Sequence, residues 1–314
     1  MQEHKAKTYV VTGSNTGIGF ETAKALAETG GRVVLAVRDV AKGEAAAARI
    51  KEATGSERLA VQPLDLADLG SVRAAADQLS KAERIDVLVN NAGLASTAKG
   101  QTKDGFELVV GTNHLGTFAL TEALMPKILE TARARGEARV VNLSSTAHQF
   151  ARQLDPQNLF PEKRSRARNA YAESKLMNLL HAREMARRYG RMGVRAHAVH
   201  PGFVNSDFGR SDHFPGLWQA AFLLTKPMQI SAEKGAKTTL AAALSDDGAW
   251  NNGLYWDKES PATPTLPEGH EKMARDLWEE SKRLLREKGF VTEEPDEEPQ
   301  APLGGPSPIF PNAL

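Results

Sequence analysis

Apolar residues in this chain recur in two alternating rhythms. Short runs, such as Tyr9-Val10-Val11 and the five apolar residues that follow Arg32 in Arg32-Val33-Val34-Leu35-Ala36-Val37, read as buried strands. Between them lie longer stretches with apolar residues at helical spacing; Phe20, Ala23, Leu26 and Ala27 mark one face of the first. The same rhythm predicts strands at Leu59–Leu64, Ile85–Asn90, Arg139–Ser144, Val194–His200 and Gly253–Trp256. It predicts helices over 41–53, 69–81, 111–134 (with a kink at Pro126), 169–189, 231–244 and 273–285. Repeated strand–helix units require a parallel sheet covered on both faces by right-handed crossovers. The expected fold class is α/β, one Rossmann-type doubly wound parallel sheet with helices on both faces. Ligands of such sheets sit at the carboxyl ends of the strands.

The first strand breaks into Thr12-Gly13-Ser14-Asn15-Thr16-Gly17-Ile18-Gly19-Phe20, a glycine turn that opens a helix. Gly13 permits the tight turn, Gly17 lets backbone approach a pyrophosphate, and Gly19 lets helix and strand pack closely. The helix N-terminus offers free N–H groups to the anion. A glycine trio by itself also fits a loop with no ligand. The end of the second strand is more selective. Val37 cannot hold a ribose 2′-hydroxyl as an acid would, whereas Arg38 suits a 2′-phosphate; Asp39 reads as the cap of the next helix. The expected cofactor is therefore NADP(H).

A second constellation lies on the predicted helix over 169–189. Tyr171 and Lys175 stand at i and i+4, on one face. An ammonium beside a phenol is expected to lower its pKa, which makes Tyr171 a general acid for reduction and a general base for oxidation. Ser144 and Ser145 end a strand at the same sheet edge, and Asn113 begins the Asn113-His114-Leu115-Gly116 stretch.

Taken together, Thr12-Gly13…Gly17-Ile18-Gly19, Asp65, Asn90-Asn91-Ala92-Gly93, Asn113, Ser145, Tyr171…Lys175 and Pro201-Gly202 closely resemble the short-chain dehydrogenase/reductase family. The matches run from Thr12 through at least Ser206. Leu35-Ala36-Val37-Arg38-Asp39, Ser144-Ser145 with His148, and Glu233-Lys234-Gly235-Ala236 resemble its retinol dehydrogenase-like reductases, and the Asn113 stretch is also similar to light-dependent protochlorophyllide reductases. The resemblance implies that Tyr171 donates a proton to a carbonyl oxygen and Ser145 hydrogen-bonds that oxygen. It implies that Lys175 lowers the Tyr171 pKa and binds the nicotinamide ribose, and that Asn113 holds a relay water. Gly13 to Gly19, Asp65, Leu66, Asn91, Ala92 and Gly93 would line the adenosine and phosphate side, and Pro201, Gly202, Val204 and Ser206 the nicotinamide. Two positions depart from the pattern: Ser206 replaces the usual threonine, and Thr117 stands where the retinol-type subgroup often has histidine. The implied activity is hydride transfer between nicotinamide and a carbonyl or alcohol carbon. Alternatives are mainly alcohol oxidation, or a cofactor-binding sensor without turnover.

Composition narrows the rest. Forty basic and 39 acidic residues give a net charge of +1, so no electrostatic case exists for nucleic acid or anionic membrane. With no cysteine, thiolate catalysis and thiolate metal sites are excluded. The histidines lack metal-ligand spacing, and no metal site is expected. Without a membrane-length apolar run, a cytoplasmic protein is the expectation. Ser145 and Tyr171 stand 26 positions apart (171 − 145), leaving an arginine-rich insertion. That insertion, about 150–168, and an aromatic segment at 203–228 (Phe203, Phe208, Phe214, Trp218, Phe222) are expected to be substrate lids for a small apolar carbonyl or alcohol. Residues 1–291 are expected to form the cofactor-binding domain and 292–314 an acidic, proline-rich tail. Relatives often pair through the Tyr-bearing helix, which leaves a homo-oligomer open.

Overall fold

The computed structural model describes residues 7–95, 100–151, 154–156, 158–159, 169–203 and 230–292. Strand β1 (Thr8–Thr12) is followed by α1 (Gly17–Glu28), β2 (Arg32–Val37), α2 (Val40–Thr54), β3 (Leu59–Pro63), α3 (Leu69–Leu79) and β4 (Val87–Asn90). A helical turn (Leu108–Val110) and a π-helical segment (Gly111–Gly116) lead into α4 (Thr117–Arg135). Then come β5 (Ala138–Leu143), a 3-10 turn (Thr146–Phe150), α5 (Ala170–Tyr189), β6 (Val194–His200), α6 (Ala232–Leu244), α7 (Asp246–Trp250), β7 (Tyr255–Asp257), β8 (Ser260–Ala262) and α8 (His270–Glu287).

The strands form one sheet in the order β3-β2-β1-β4-β5-β6-β7-β8. All neighbours are parallel except β7 and β8, which pair antiparallel. Successive strand residues alternate between two cores. Val10, Val34, Leu88, Val140 and Ala196 face α3, α4, α5 and α8. Tyr9, Val11, Leu35, Val89 and Val141 face α1, α2 and α6. Phe20, Ala23, Leu26 and Ala27 of α1 are all buried, as their helical spacing requires. The order reverses at β1, which lies between β2 and β4; the carboxyl ends of β1 and β4 therefore flank the crevice where such sheets take ligands.

Three local differences from the sequence reading have physical causes. The helix expected over 111–134 begins with a π-helical segment, a widened turn that recurs at functional sites, and α4 continues through Pro126 as one element. The last parallel strand starts at Tyr255 and turns back into the edge strand β8 at Lys258 and Glu259, both with positive φ (50° and 65°). Finally, α8 is longer than its apolar pattern alone marks, and Ala274 and Leu277 pack with Ala172, Leu176 and Leu180 of α5. Among the described residues no helix is long and apolar enough to cross a membrane.

Candidate active site

The glycine turn is tied to the end of β4. Asn91 donates its side-chain amide to the carbonyls of Thr12 (2.8 Å) and Gly13 (3.2 Å), and Ala92 N–H donates to Thr12 Oγ1 (2.9 Å). Ser14 Oγ donates to Val11 O at 2.9 Å. Gly13 and Gly17 have φ of 65° and 59°, which disfavour any side chain. A Cβ on Gly19 would lie 2.4 Å from both Gly13 O and Asn91 Nδ2. Thr16 precedes α1 without a side-chain cap, and the first turn of α1 holds no acid. Its leading N–H groups are thus left for an external anion. This cradle, which any side chain would fill, fits a dinucleotide pyrophosphate.

At the end of β2, Val37 is buried and Arg38 is exposed. Among the described residues Arg38 has no ion-pair partner. Asp39 caps α2, accepting from Lys42 N–H at 3.1 Å, and that bond holds its carboxyl below the usual range. Asp65, beyond β3, accepts from Ala67 N–H at 2.9 Å. Leu66 is packed under the π-helical segment, where a Cβ on Gly116 would come within 2.1 Å of its carbonyl.

Asn113, Ser145, Tyr171 and Lys175 meet at the carboxyl ends of β4 and β5. Asn113 sits in the π-helical segment and donates to Leu94 O (2.8 Å) and Ser174 Oγ (3.0 Å), while its own Oδ1 accepts from Leu94 N–H (2.7 Å). Ser174 Oγ in turn donates to Tyr171 O at 2.8 Å. Ser144 Oγ donates to Lys175 O at 2.7 Å, which locks α5 to β5. Ser145 Oγ accepts from Ala147 N–H at 3.2 Å and hydrogen-bonds Tyr171. Lys175 Nζ donates to Leu143 O at 3.2 Å and lies 5.5 Å from the Tyr171 ring centroid. Gly93 leaves room here, because its Cβ would sit 3.2 Å from Asn113 Oδ1 and 3.5 Å from Lys175 Nζ.

The electrostatics correct the sequence reading of the Tyr–Lys pair. Burial pushes the Tyr171 phenol up to about 12, against a smaller lowering by Ser145. Burial also brings the Lys175 ammonium down to about 8. Loss of solvent disfavours charge on both groups and is the largest cause of each shift. With its pKa raised, the Tyr171 phenol is neutral near pH 7.

Pro201 and Gly202 follow β6 at the same edge, and a Cβ on Gly202 (φ 87°) would lie 2.6 Å from Ile230 Cδ1. Phe203 is half exposed, and its carbonyl accepts from Ile230 N–H at 2.8 Å. Val204 and Ser206 lie outside the described residues, as do most of the 150–168 insertion, most of 203–228 and the tail from residue 293. Asn178 went unread in the sequence, although it shares a helix face with Lys175 and spacing alone could have flagged it; His148 entered only through the family resemblance, and His200 was not read as a site residue.

The short chain dehydrogenase family model matches residues 7–213. Retinol dehydrogenase 11 of Mus musculus is 43% identical over 281 residues, covering 89% of this chain and 86% of that protein. A solved structure of an uncharacterized protein from Mycobacterium paratuberculosis is 34% identical with a TM-score of 0.69, covering 92% of this chain and 95% of that one. Pseudomonas aeruginosa RhlG, solved as an NADP active-site complex, is 25% identical with a TM-score of 0.62 and covers 81% of this chain and 96% of that one. Sheet order, glycine cradle and family match agree: the chain is an oxidoreductase of the short-chain dehydrogenase/reductase family, retinol dehydrogenase-like in sequence.

Proposed function

We propose that the chain is an NADP(H)-dependent reductase of apolar aldehydes or ketones, with residues 1–291 as its cofactor-binding domain. The observation that carries this reading is the Ser145–Tyr171 hydrogen bond beside buried Lys175, with the phenol held neutral. Bound NADPH supplies the hydride. Ser145 and Tyr171 together orient the carbonyl oxygen, and Tyr171 Oη passes its proton to that oxygen as negative charge develops. Lys175, with Nζ near Tyr171 and Gly93, binds the ribose hydroxyls and returns a proton toward the phenol. Asn113 holds Leu94 and Ser174 in place around this route, from which a relay water reaches Lys175. Arg38, exposed and unpaired among the described residues, takes the 2′-phosphate. Phe203, half exposed just after β6, together with the retinol dehydrogenase likeness favours an apolar substrate.

The test is NADPH oxidation with a panel of apolar aldehydes and ketones, retinal included, for wild type and Tyr171→Phe. Wild-type turnover that falls by roughly 10²–10⁴ in the variant, with NADPH binding retained, is the expected result. No turnover with any carbonyl, or undiminished turnover in the variant, defeats the proposal.

A further inference from the structure

Ser145 is followed by a turn that two buried histidines grip from different elements. His148 lies within the turn, and its Nδ1 is 2.6 Å from Ser145 O. His200 ends β6, and its Nδ1 is 3.3 Å from the N–H of Thr146. The two rings are 4% and 8% exposed, so each is buried although the turn it holds reaches the surface at Thr146. The His148 ring is also fixed edge-on against Tyr255, with centroids 5.3 Å apart.

The backbone partners dictate the proton positions. A carbonyl oxygen only accepts, so His148 Nδ1 must carry a hydrogen. An amide N–H only donates, so His200 Nδ1 must be bare and its hydrogen must sit on Nε2. The two rings therefore hold opposite tautomers. Their responses to acid differ as well. Protonated His148 still donates to Ser145 O. Protonated His200 turns an N–H toward the N–H of Thr146, and the bond becomes a repulsion. We propose that His148 and His200 are positioning residues for Ser145, held in opposite tautomers, and that protonation of His200 alone releases the turn.

The surroundings set where this happens. Burial opposes charge on His200 most strongly, Asp257 favours it, and His148 and Lys258 oppose it; its pKa lies below the ordinary 6.5. Burial also lowers His148, against the backbone of Ser145 and of Thr265. Tyr255, the remaining titratable neighbour, stays a neutral phenol because burial raises its pKa. Release thus belongs to the acid side of pH 6.5.

This inference rests on the proposed role of Ser145, and its test has an arm that needs no turnover. Nitrogen-15 NMR of the full chain labelled at histidine, with signals assigned through His148→Asn and His200→Asn, reads the tautomers at neutral pH. The expected result is Nδ1–H for His148 and Nε2–H for His200; one shared tautomer overturns the proposal. The second arm is kcat/KM for carbonyl reduction against pH. An Asn at position 200 offers a non-titrating acceptor to Thr146. His200→Asn should therefore keep the neutral-pH rate and lose the acid limb, while His148→Asn keeps that limb. His200→Leu should lower kcat about five-fold or more, with NADPH affinity unchanged. An acid limb that survives in His200→Asn overturns the proposal. Absence of all turnover in wild type would defeat the reductase reading, and the tautomers would still decide this one.

Discussion

Lys175 and Asn178 donate to the same acceptor, the carbonyl oxygen of Leu143, from 3.2 and 3.1 Å. Leu143 is the last residue of β5, and the two donors stand three apart on one face of α5. Asn178 occupies one side of that oxygen and confines Lys175 Nζ to the other. Asn178→Leu removes a buried hydrogen bond in similar volume. We expect a stability loss of about 1–3 kcal/mol by urea titration and a several-fold fall in kcat. Unchanged stability and unchanged rate would show that Lys175 needs no such neighbour.

Arg38 should select the cofactor. Asp39 is engaged with Lys42, so Arg38 stands without a carboxylate competing for it. A charge-assisted contact to a 2′-phosphate contributes about 1.5–3 kcal/mol. Arg38→Ala should therefore weaken NADPH binding roughly ten- to hundred-fold and leave NADH binding unchanged. Fluorescence titration with both cofactors decides it. Equal affinities in wild type would make Arg38 a bystander.

Gly19 is predicted to tolerate no side chain. Its Cβ would fall 2.4 Å from the Gly13 carbonyl, a backbone atom already fixed by the Asn91 amide. Gly19→Ala should cost about 1–3 kcal/mol of stability and displace the cradle. A lower Tm together with a weaker NADPH Kd is the expected pair of results.

The buried histidines should make stability fall below neutral pH. Burial holds His114 at about 3 and His197 at about 4, and keeps His181 well below 6.5. Their folded pKa values lie under the unfolded one, so the unfolded chain binds protons first. The stabilisation is complete above about pH 6.5 and is lost as pH falls from there toward the folded values. Each contributes a slope of about 1.4 kcal/mol per pH unit within that window. Urea midpoints measured from pH 7.5 to 5 should decline steadily, and His197→Gln should shallow the decline.

Much of the fold was legible because its signals are local. The period of Tyr9–Val11 and of Phe20, Ala23 and Leu26 needs only neighbours in sequence. So do the three glycines of the turn and the Tyr171–Lys175 spacing on one helix. Asp39 was read correctly as a cap for the same reason: its partner Lys42 is three residues away. The π-helical segment around Asn113 was not legible, since it depends on contacts with Leu94 and Ser174 rather than on its own pattern.

By itself, the sequence determined the alternating α/β class, the cradle for a phosphate and the residues of the candidate proton-transfer set. These follow from backbone geometry and spacing within single elements. Tertiary structure alone decided the strand order, the cover that α8 places on α5 and the clasp of His148 and His200 on the Ser145 turn. It also decided the direction of the Tyr171 pKa shift, which burial raises. A charge near a phenol is visible in sequence, but the water excluded from around both is not, and here desolvation is the larger effect.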